Sequence, residues 1–440
     1  MTLAKRLLLG SAAAVVATTG AQAADLGLPV APAVDYVQIC SIGSFTGFIL
    51  PGSDVCFDIS GFARFQANFN ADVTPNSSED DDDEYDFDGV AELNFDARTM
   101  TEWGLLRGFI RIDGTGGTPG DGAVELQKAF VQIGGLTAGY TDSFFDMVYT
   151  DYALGPVAAP DGGSTDSALI GYAYAVGNGV TLMASLEEAD NREAGIAGVF
   201  GATAPTLGGF AAGVNQFGAI GTTVPGQDGA RSMPDFVAAV RVDQAWGSAK
   251  LSGAITNVDP NDIVVGGATI AVDNEIGYAI GASAEFNLPV GYDSEFGIFG
   301  IYTDGALGYA GASAYGFDAI VTETGGINTT TAFALGAGFE FGLTSMLDLE
   351  VDAYYASIDH DLGITGADAD SDVYSVRGSL AYRPVSGLEF RAGVGYTSFD
   401  NSEVARLSAT NGVVSAFTPP TTTQDRDDEV AATFRITRSF

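Results

Sequence analysis

Gly61-Phe62-Ala63-Arg64-Phe65-Gln66-Ala67-Asn68-Phe69 decides the fold. Ala63, Phe65, Ala67 and Phe69 form one set, and Phe62, Arg64, Gln66 and Asn68 form the other. Successive side chains of a β-strand point to opposite faces, so a period of two describes a strand with one greasy and one mostly polar face. The pattern returns along the chain. Ala91, Leu93, Phe95 and Ala97 alternate with Glu92, Asn94, Asp96 and Arg98. Leu347, Leu349, Val351, Ala353 and Tyr355 alternate with Asp348, Glu350 and Asp352. Further sets are Val180 to Leu186, Phe236 to Val242, Phe333 to Phe341, Tyr374 to Tyr382 and Leu388 to Tyr396. The last runs from Val430 through Phe434 to Phe440, a terminal aromatic suited to an interface.

The connections alternate in length. Tight links stand at Glu102-Trp103-Gly104, Gly134-Gly135, Gly177-Asn178-Gly179, Gln244 to Gly247, Leu343 to Ser345 and Arg383 to Gly387. Glycine, asparagine and proline supply their dihedrals. Longer polar stretches lie between them. Short turns on one side and long loops on the other, with apolar faces turned outward, describe an all-β, closed, antiparallel transmembrane β-barrel. The count of alternating segments runs from 16 to 18, with 16 favoured. The ambiguity lies in Ile196–Phe217, where Gly209–Val214 could pair with Ala197–Gly201 in an extra hairpin. Trp103, Tyr140, Tyr152, Trp246, Tyr354, Tyr355, Tyr382 and Tyr396 sit at strand ends and compete between interfacial girdles and ordinary packing.

The first residues set the compartment. Lys5 and Arg6 precede an apolar run from Leu7 to Ala17, and Ala21-Gln22-Ala23 is an A-x-A cleavage signal. Residues 1–23 therefore read as a secretory signal peptide. Residues 24–59 read as an N-terminal periplasmic segment, and 60–440 as the barrel. No later apolar run is long enough for a membrane helix. The formal charge of −39 repels phosphates and excludes nucleic-acid binding. Cys40 and Cys56 are the two cysteines of an exported chain, which favours a disulfide over a metal site.

In this order the features resemble the alphaproteobacterial porin family, from the signal to the last phenylalanine. Asp35 to Cys40 with Pro51 to Cys56 looks like that family's paired-cysteine opening. Gly61 to Phe65 is similar to its first strand. Phe130 to Leu136 followed by Gly139 resembles the hairpin before its inward-folded third loop, and Phe434 to Phe440 its ending. The resemblance implies a 16-stranded homotrimer whose inward loop narrows a water-filled channel for small hydrophilic solutes, set in outer-membrane lipid and lipopolysaccharide. The chain departs from the pattern in its length and acidity, notably at Glu79–Glu84.

Such a channel has no catalytic centre and needs no cofactor or metal; fixed charge and width at its constriction set what passes. The stretch from Thr141 to Thr165 carries Asp142, Asp146, Asp151 and Asp161, with Phe144, Phe145, Tyr149 and Tyr152 as packing anchors. It folds inward if the resemblance holds and outward if it is an ordinary solvated loop. Arg64, Arg98, Arg107, Arg111, Arg377, Arg391 and Arg435 lie on polar faces, where lipid exposure of each would cost about 2–4 kcal/mol at the midplane. They form either one basic wall facing the acidic loop or scattered, locally paired charges. The acidic run Glu79–Glu84 with Asp86 and Asp88 reads as a solvated outer loop, with divalent-cation binding as the alternative. Asp368, Asp370 and Asp372 lack the glycine and closing glutamate of a calcium loop. The single histidine, His360, is placed in a loop, and no serine–histidine pair marks an enzyme. The expected function is general diffusion with cation preference. A sugar-specific channel and a non-channel structural or adhesin barrel are the alternatives.

Overall fold

The computed structural model describes residues 38–72, 85–117, 122–155, 157, 159–199, 232–265, 268–322, 326–364, 367–400 and 429–440. The signal segment, the acidic run Glu79–Glu84 and the stretch Gly209–Val214 lie outside them. Sixteen strands form the wall. They are β1 (Cys56–Asp72), β2 (Tyr85–Thr101), β3 (Gly104–Gly116), β4 (Ala123–Ile133), β5 (Leu136–Asp142), β6 (Asp166–Gly177), β7 (Val180–Glu187) and β8 (Asp235–Gln244), then β9 (Gly247–Val258), β10 (Glu275–Leu288), β11 (Ser294–Asp304), β12 (Thr331–Thr344), β13 (Leu347–Ile364), β14 (Ala367–Val385), β15 (Leu388–Asp400) and β16 (Glu429–Ser439). Each is antiparallel to the next, and β16 closes on β1 with Ser439 opposite Phe62 and Glu429 opposite Asp72. Gly61 and Phe440 exchange backbone hydrogen bonds of 3.1 and 3.0 Å at the seam.

The period-two faces sort as expected. Phe65, Leu93, Leu182, Phe236, Leu335, Val351, Val376 and Val394 are exposed on the outer face, while Asp96, Glu350, Asp352, Arg377 and Ser379 are buried on the inner one. Exposed apolar side chains on this scale are tolerable only against hydrocarbon. The tight turns fall where glycine or asparagine supplies a left-handed residue, as at Asn178 with φ of 53° and Gly179 with φ of 76°. Another short turn, Pro289–Asp293, joins β10 to β11 through Gly291 and Asp293, both with positive φ.

Two further strands, Ile39–Ile42 and Phe45–Ile49, form a hairpin that adds to the start of β1. Cys40 is bonded to Cys56 across 16 residues of sequence. That closure constrains the unfolded chain by about 3 kcal/mol. The wall itself has sixteen strands, which resolves the open count. Ile196–Val199, the described part of the ambiguous segment, pairs in parallel with Ala319–Thr322 of the β11–β12 connection and contributes no wall hairpin.

Two local expectations need correction, and one open alternative is decided. His360 lies within β13, not in a loop, and is buried beside Thr330, with Thr330 Oγ1 and His360 Nδ1 2.8 Å apart. Asp86 and Asp88 belong to β2 rather than an outer loop. Tyr152 and Tyr354 are not girdle residues: both face inward, and Tyr354 is 4% exposed. Alternation makes this unavoidable for Tyr354, whose neighbour Tyr355 takes the outer face.

Candidate pore constriction

Residues Ser143 to Thr165 connect β5 to β6 without following the wall. The segment crosses the lumen and lies on the inner faces of β9 to β15. Asp352 of β13 is the main anchor: it accepts the Tyr149 hydroxyl at 2.6 Å, the Tyr152 amide at 3.0 Å and the Ala153 amide. The Val148 amide donates to Ser283 Oγ at 2.9 Å, the Leu154 amide to Ser379 Oγ at 2.9 Å, and the Tyr354 hydroxyl to the Thr150 carbonyl at 2.9 Å. At the near end the Phe144 amide donates to Glu187 at 2.9 Å. Irregular backbone in the membrane interior needs such partners, because no lattice of its own satisfies its amides.

Close approach demands small inner-face residues. A Cβ on Gly281 would crowd Met147, one on Gly297 would overlap the base of the Tyr149 side chain, and one on Gly393 would overlap the Leu154 carbonyl. Phe145 and Tyr149 are buried in a core with Phe299, Leu307 and Tyr309. Leu307 and Tyr309 belong to a short 3-10 turn, Leu307–Ala310, of the β11–β12 connection, so a second loop also folds inward. Arg192, on the β7–β8 connection, ties the three together. It reaches Asp146 and the Gly163 carbonyl, each at 2.5 Å, and lies 4.4 Å from the Tyr309 ring centre.

The four loop aspartates therefore sit in different places. Asp142 is exposed at the outer end of β5 and pairs with Lys128, which also reaches Asp166 at 3.3 Å. Asp146 is enclosed with Arg192; burial pushes its carboxyl up to about 6, against the pull of that guanidinium. Asp151 is half exposed, 3.9 Å from Arg377. Asp161 is partly covered, and burial raises its carboxyl above the usual range while the Arg377 charge opposes the rise.

The arginines divide likewise. Arg98 and Arg107 share Asp96 at 2.7 and 2.9 Å, and Arg98 covers the Phe45 ring at 4.0 Å, near the hairpin end. Arg111 donates to Asn94 at 2.9 Å and lies 3.6 Å from Glu92. Arg377 donates to the Val157 carbonyl at 3.0 Å and so holds the inward loop. Arg391 pairs with Glu350 at 2.6 Å. Arg435 stands opposite Arg391 in register, and Arg64 opposite Thr437, so Arg391 and Arg435 share one level and Arg64 is the diagonal neighbour on the adjacent strand. Across the lumen, Glu285, Glu295 and Glu340 occupy inner positions of β10, β11 and β12, with Glu295 opposite Glu340. The inner surface is polarised, basic on the β15–β16–β1 side and acidic on the β10–β12 side.

Asp352, Lys128, Arg192, Lys250 and the three glutamates were not singled out from sequence. Lys250 donates to the Asp146 carbonyl at 2.5 Å, another loop anchor. The signal available for the wall residues was their inner-face parity alone.

A family profile described as "Porin subfamily" matches residues 28–430. The chain belongs to this porin family. It is 34% identical over 211 residues to porin Omp2b of Brucella suis, an alignment covering 44% of this chain and 55% of that relative. The match thus spans little more than half the relative's length. The alphaproteobacterial resemblance holds, and the chain is a bacterial outer-membrane protein. Among solved structures, the outer membrane channel DcaP of Acinetobacter baumannii is similar with a TM-score of 0.65 at 15% identity, covering 90% of this porin and 99% of that chain. OmpT of Vibrio cholerae, in a trimer form, gives 0.51 at 12% identity over 88% of this porin and 100% of that chain. These structural likenesses show the barrel fold.

Proposed function

We propose that this porin forms a passive, water-filled pore for small hydrophilic solutes and ions and does no catalysis. The observation that carries the reading is the inward segment Ser143–Thr165, hydrogen-bonded to the inner wall of a closed barrel whose inner face is otherwise lined by charged residues. Channel selectivity arises at such a narrowing, from its width and fixed charge. The pore rings Tyr149, Phe299 and Tyr354 are packed beneath loops, an arrangement that argues against an aromatic sugar track. Reconstitution into planar bilayers should give large, steady, ohmic current that does not saturate with potassium chloride. A silent protein, folded by its heat-modifiable mobility, would remove the channel reading.

The pore is cation-selective in this proposal. An acidic chain concentrates cations at its mouth, and Glu285, Glu295 and Glu340 extend the same sign inward. At about 0.1 M salt the Debye length is roughly 10 Å, so the preference weakens as salt rises. Because Asp146 is neutralised by Arg192, Asp151→Asn should lower the selectivity more than Asp146→Asn does. Reversal potentials in a salt gradient read this, and anion selectivity of the unchanged protein would overturn it.

The working unit in this reading is a homotrimer in lipid and lipopolysaccharide, supported by the trimer form of OmpT. The expected result in mild detergent is a heat-labile species of three chains. Monomer under every mild condition counts against it.

A further inference from the structure

We propose that Arg64, Arg391 and Arg435 form an oxyanion-binding site in the pore, with inorganic phosphate and phosphate monoesters as its ligand class. The proposal rests on the channel reading for access to the site, but its geometry stands independently. Arg391 and Arg435 face each other across β15 and β16, where side chains at paired positions have Cβ atoms about 5 Å apart. Arg435 is opposite Gln66, and Arg64 lies two residues before Gln66 on β1, the diagonal neighbour. Like charges placed directly opposite each other destabilise a sheet, so the Arg391–Arg435 pair with Arg64 on its diagonal calls for a counter-charge.

Local carboxylates supply only part of it. Glu350 holds Arg391 at 2.6 Å, and Glu389 is shared between Arg383 at 2.8 Å and Arg391 at 3.6 Å. Arg64 has one neutral acceptor, Thr437 Oγ1 at 3.4 Å, lies over the Phe62 ring at 4.3 Å, and feels the charges of Glu92, Glu389 and Asp113 at longer range. Glu92, the acid on neighbouring β2, is engaged by Asn94 at 2.7 Å and Arg111 at 3.6 Å. Arg435 Nε has no hydrogen-bond acceptor among the described residues, and the opposite charges acting on this guanidinium at longer range are Glu389 and Asp151. The Nε atoms of Arg391 and Arg435 are both out of solvent, and Arg391 Nε has Glu389 Oε1 at 3.6 Å. The unpartnered donor of Arg435, beside Arg391 held by Glu350 at 2.6 Å and by Glu389 at 3.6 Å, fits an acceptor with several oxygens, and guanidinium groups bind phosphate through paired N–H donors. Chloride offers one centre and cannot engage several forks with the same geometry.

The test uses the full-length protein and inorganic phosphate. In bilayers at fixed ionic strength, added phosphate should depress the potassium chloride current along a saturating curve. Arg435→Gln should raise the half-saturating concentration roughly tenfold or more, as loss of one charge-assisted contact implies. Arg64→Gln should act in the same direction. Arg438→Gln, an equal charge change at a rim residue bonded to the Ser386 carbonyl, should leave it unchanged. Calorimetry on detergent-solubilised protein should show one saturable phosphate site per chain, weakened by the same factor in the Arg435→Gln variant. Carboxylates such as acetate, with two oxygens, should bind more weakly. Normal current without phosphate block and without saturable heat overturns the site and leaves the channel intact. Saturable heat in a protein that carries no current keeps the site and removes the channel. Equal phosphate effects on the unchanged protein, Arg435→Gln and Arg438→Gln overturn the assignment to these arginines.

Discussion

Replacing Asp352 by alanine should open the pore. The single-channel current should rise and grow noisy, and the segment around Tyr149 to Ala153 should become cleavable by added protease. The carboxylate accepts three donors from that segment while being fully buried. Hydrogen bonds to a charged acceptor contribute about 1.5–3 kcal/mol each, and the freed amides regain water in the lumen, so a loss on the order of 5 kcal/mol is expected for the docked loop. At about 1.4 kcal/mol per factor of ten, this weakens docking by roughly three to four orders of magnitude. Ser283, Ser379 and Arg377 remain as weaker tethers, which makes the outcome a mobile loop rather than an unfolded barrel. Asp352→Asn keeps one acceptor oxygen and should fall between the two. An alanine variant with unchanged current and unchanged protease resistance would show that packing alone seats the segment.

The wall was legible because its signal is local. Each strand writes its own period of two, and Leu347 to Tyr355 can be sorted into lipid and lumen faces without knowing any neighbour. The corrections also follow from local rules pushed too far or not far enough. Tyr354 and Tyr355 are adjacent and cannot share a face. His360 continues the parity of Asp352, Tyr354 and Ile358, yet its polar surroundings disguised an extended strand. The site was less legible because its signal is not local. Asp352 reads like any inner carboxylate; only the chain's return from Tyr149 and Ala153, about 200 residues earlier, makes it an anchor. Arg192 sits in an unpatterned polar connection and gains its meaning from Asp146, Gly163 and Tyr309 on two other loops. Charge counting placed Asp146 and Asp151 together as equal acids. Burial against Arg192 separates them, and burial is a property of the folded chain alone.

Glycine on the inner wall leads to the second large effect. Gly297 and Gly393 lie on β11 and β15, beneath Tyr149 and Leu154 in the middle of the inward segment. A methyl group at position 297 would overlap the first atoms of the Tyr149 side chain, which no rotation of the ring moves away. At position 393 it would overlap the Leu154 carbonyl, part of the backbone, with Ser379 Cβ at 3.2 Å closing the other side. Relief at either site requires moving the segment itself. Overpacking of this kind costs typically about 1–3 kcal/mol at one position, and the two sites share one rigid segment, so their effects should couple. The wall has less reason to yield, because its strands are fixed on both sides by ladder hydrogen bonds. Gly297→Ala combined with Gly393→Ala should therefore lift the segment into the passage, reduce the current and slow solute entry. This is the opposite sign from Asp352→Ala, although both changes undock the same chain. The difference is mechanical: losing an anchor frees the segment to swing, whereas filling its bed pushes it off the wall into the open lumen. Gly108→Ala, at a position with open space around it, should change neither current nor thermal stability. Single-channel recording of the double variant decides the matter, and a current equal to that of Gly108→Ala would mean that the segment does not rest on these glycines.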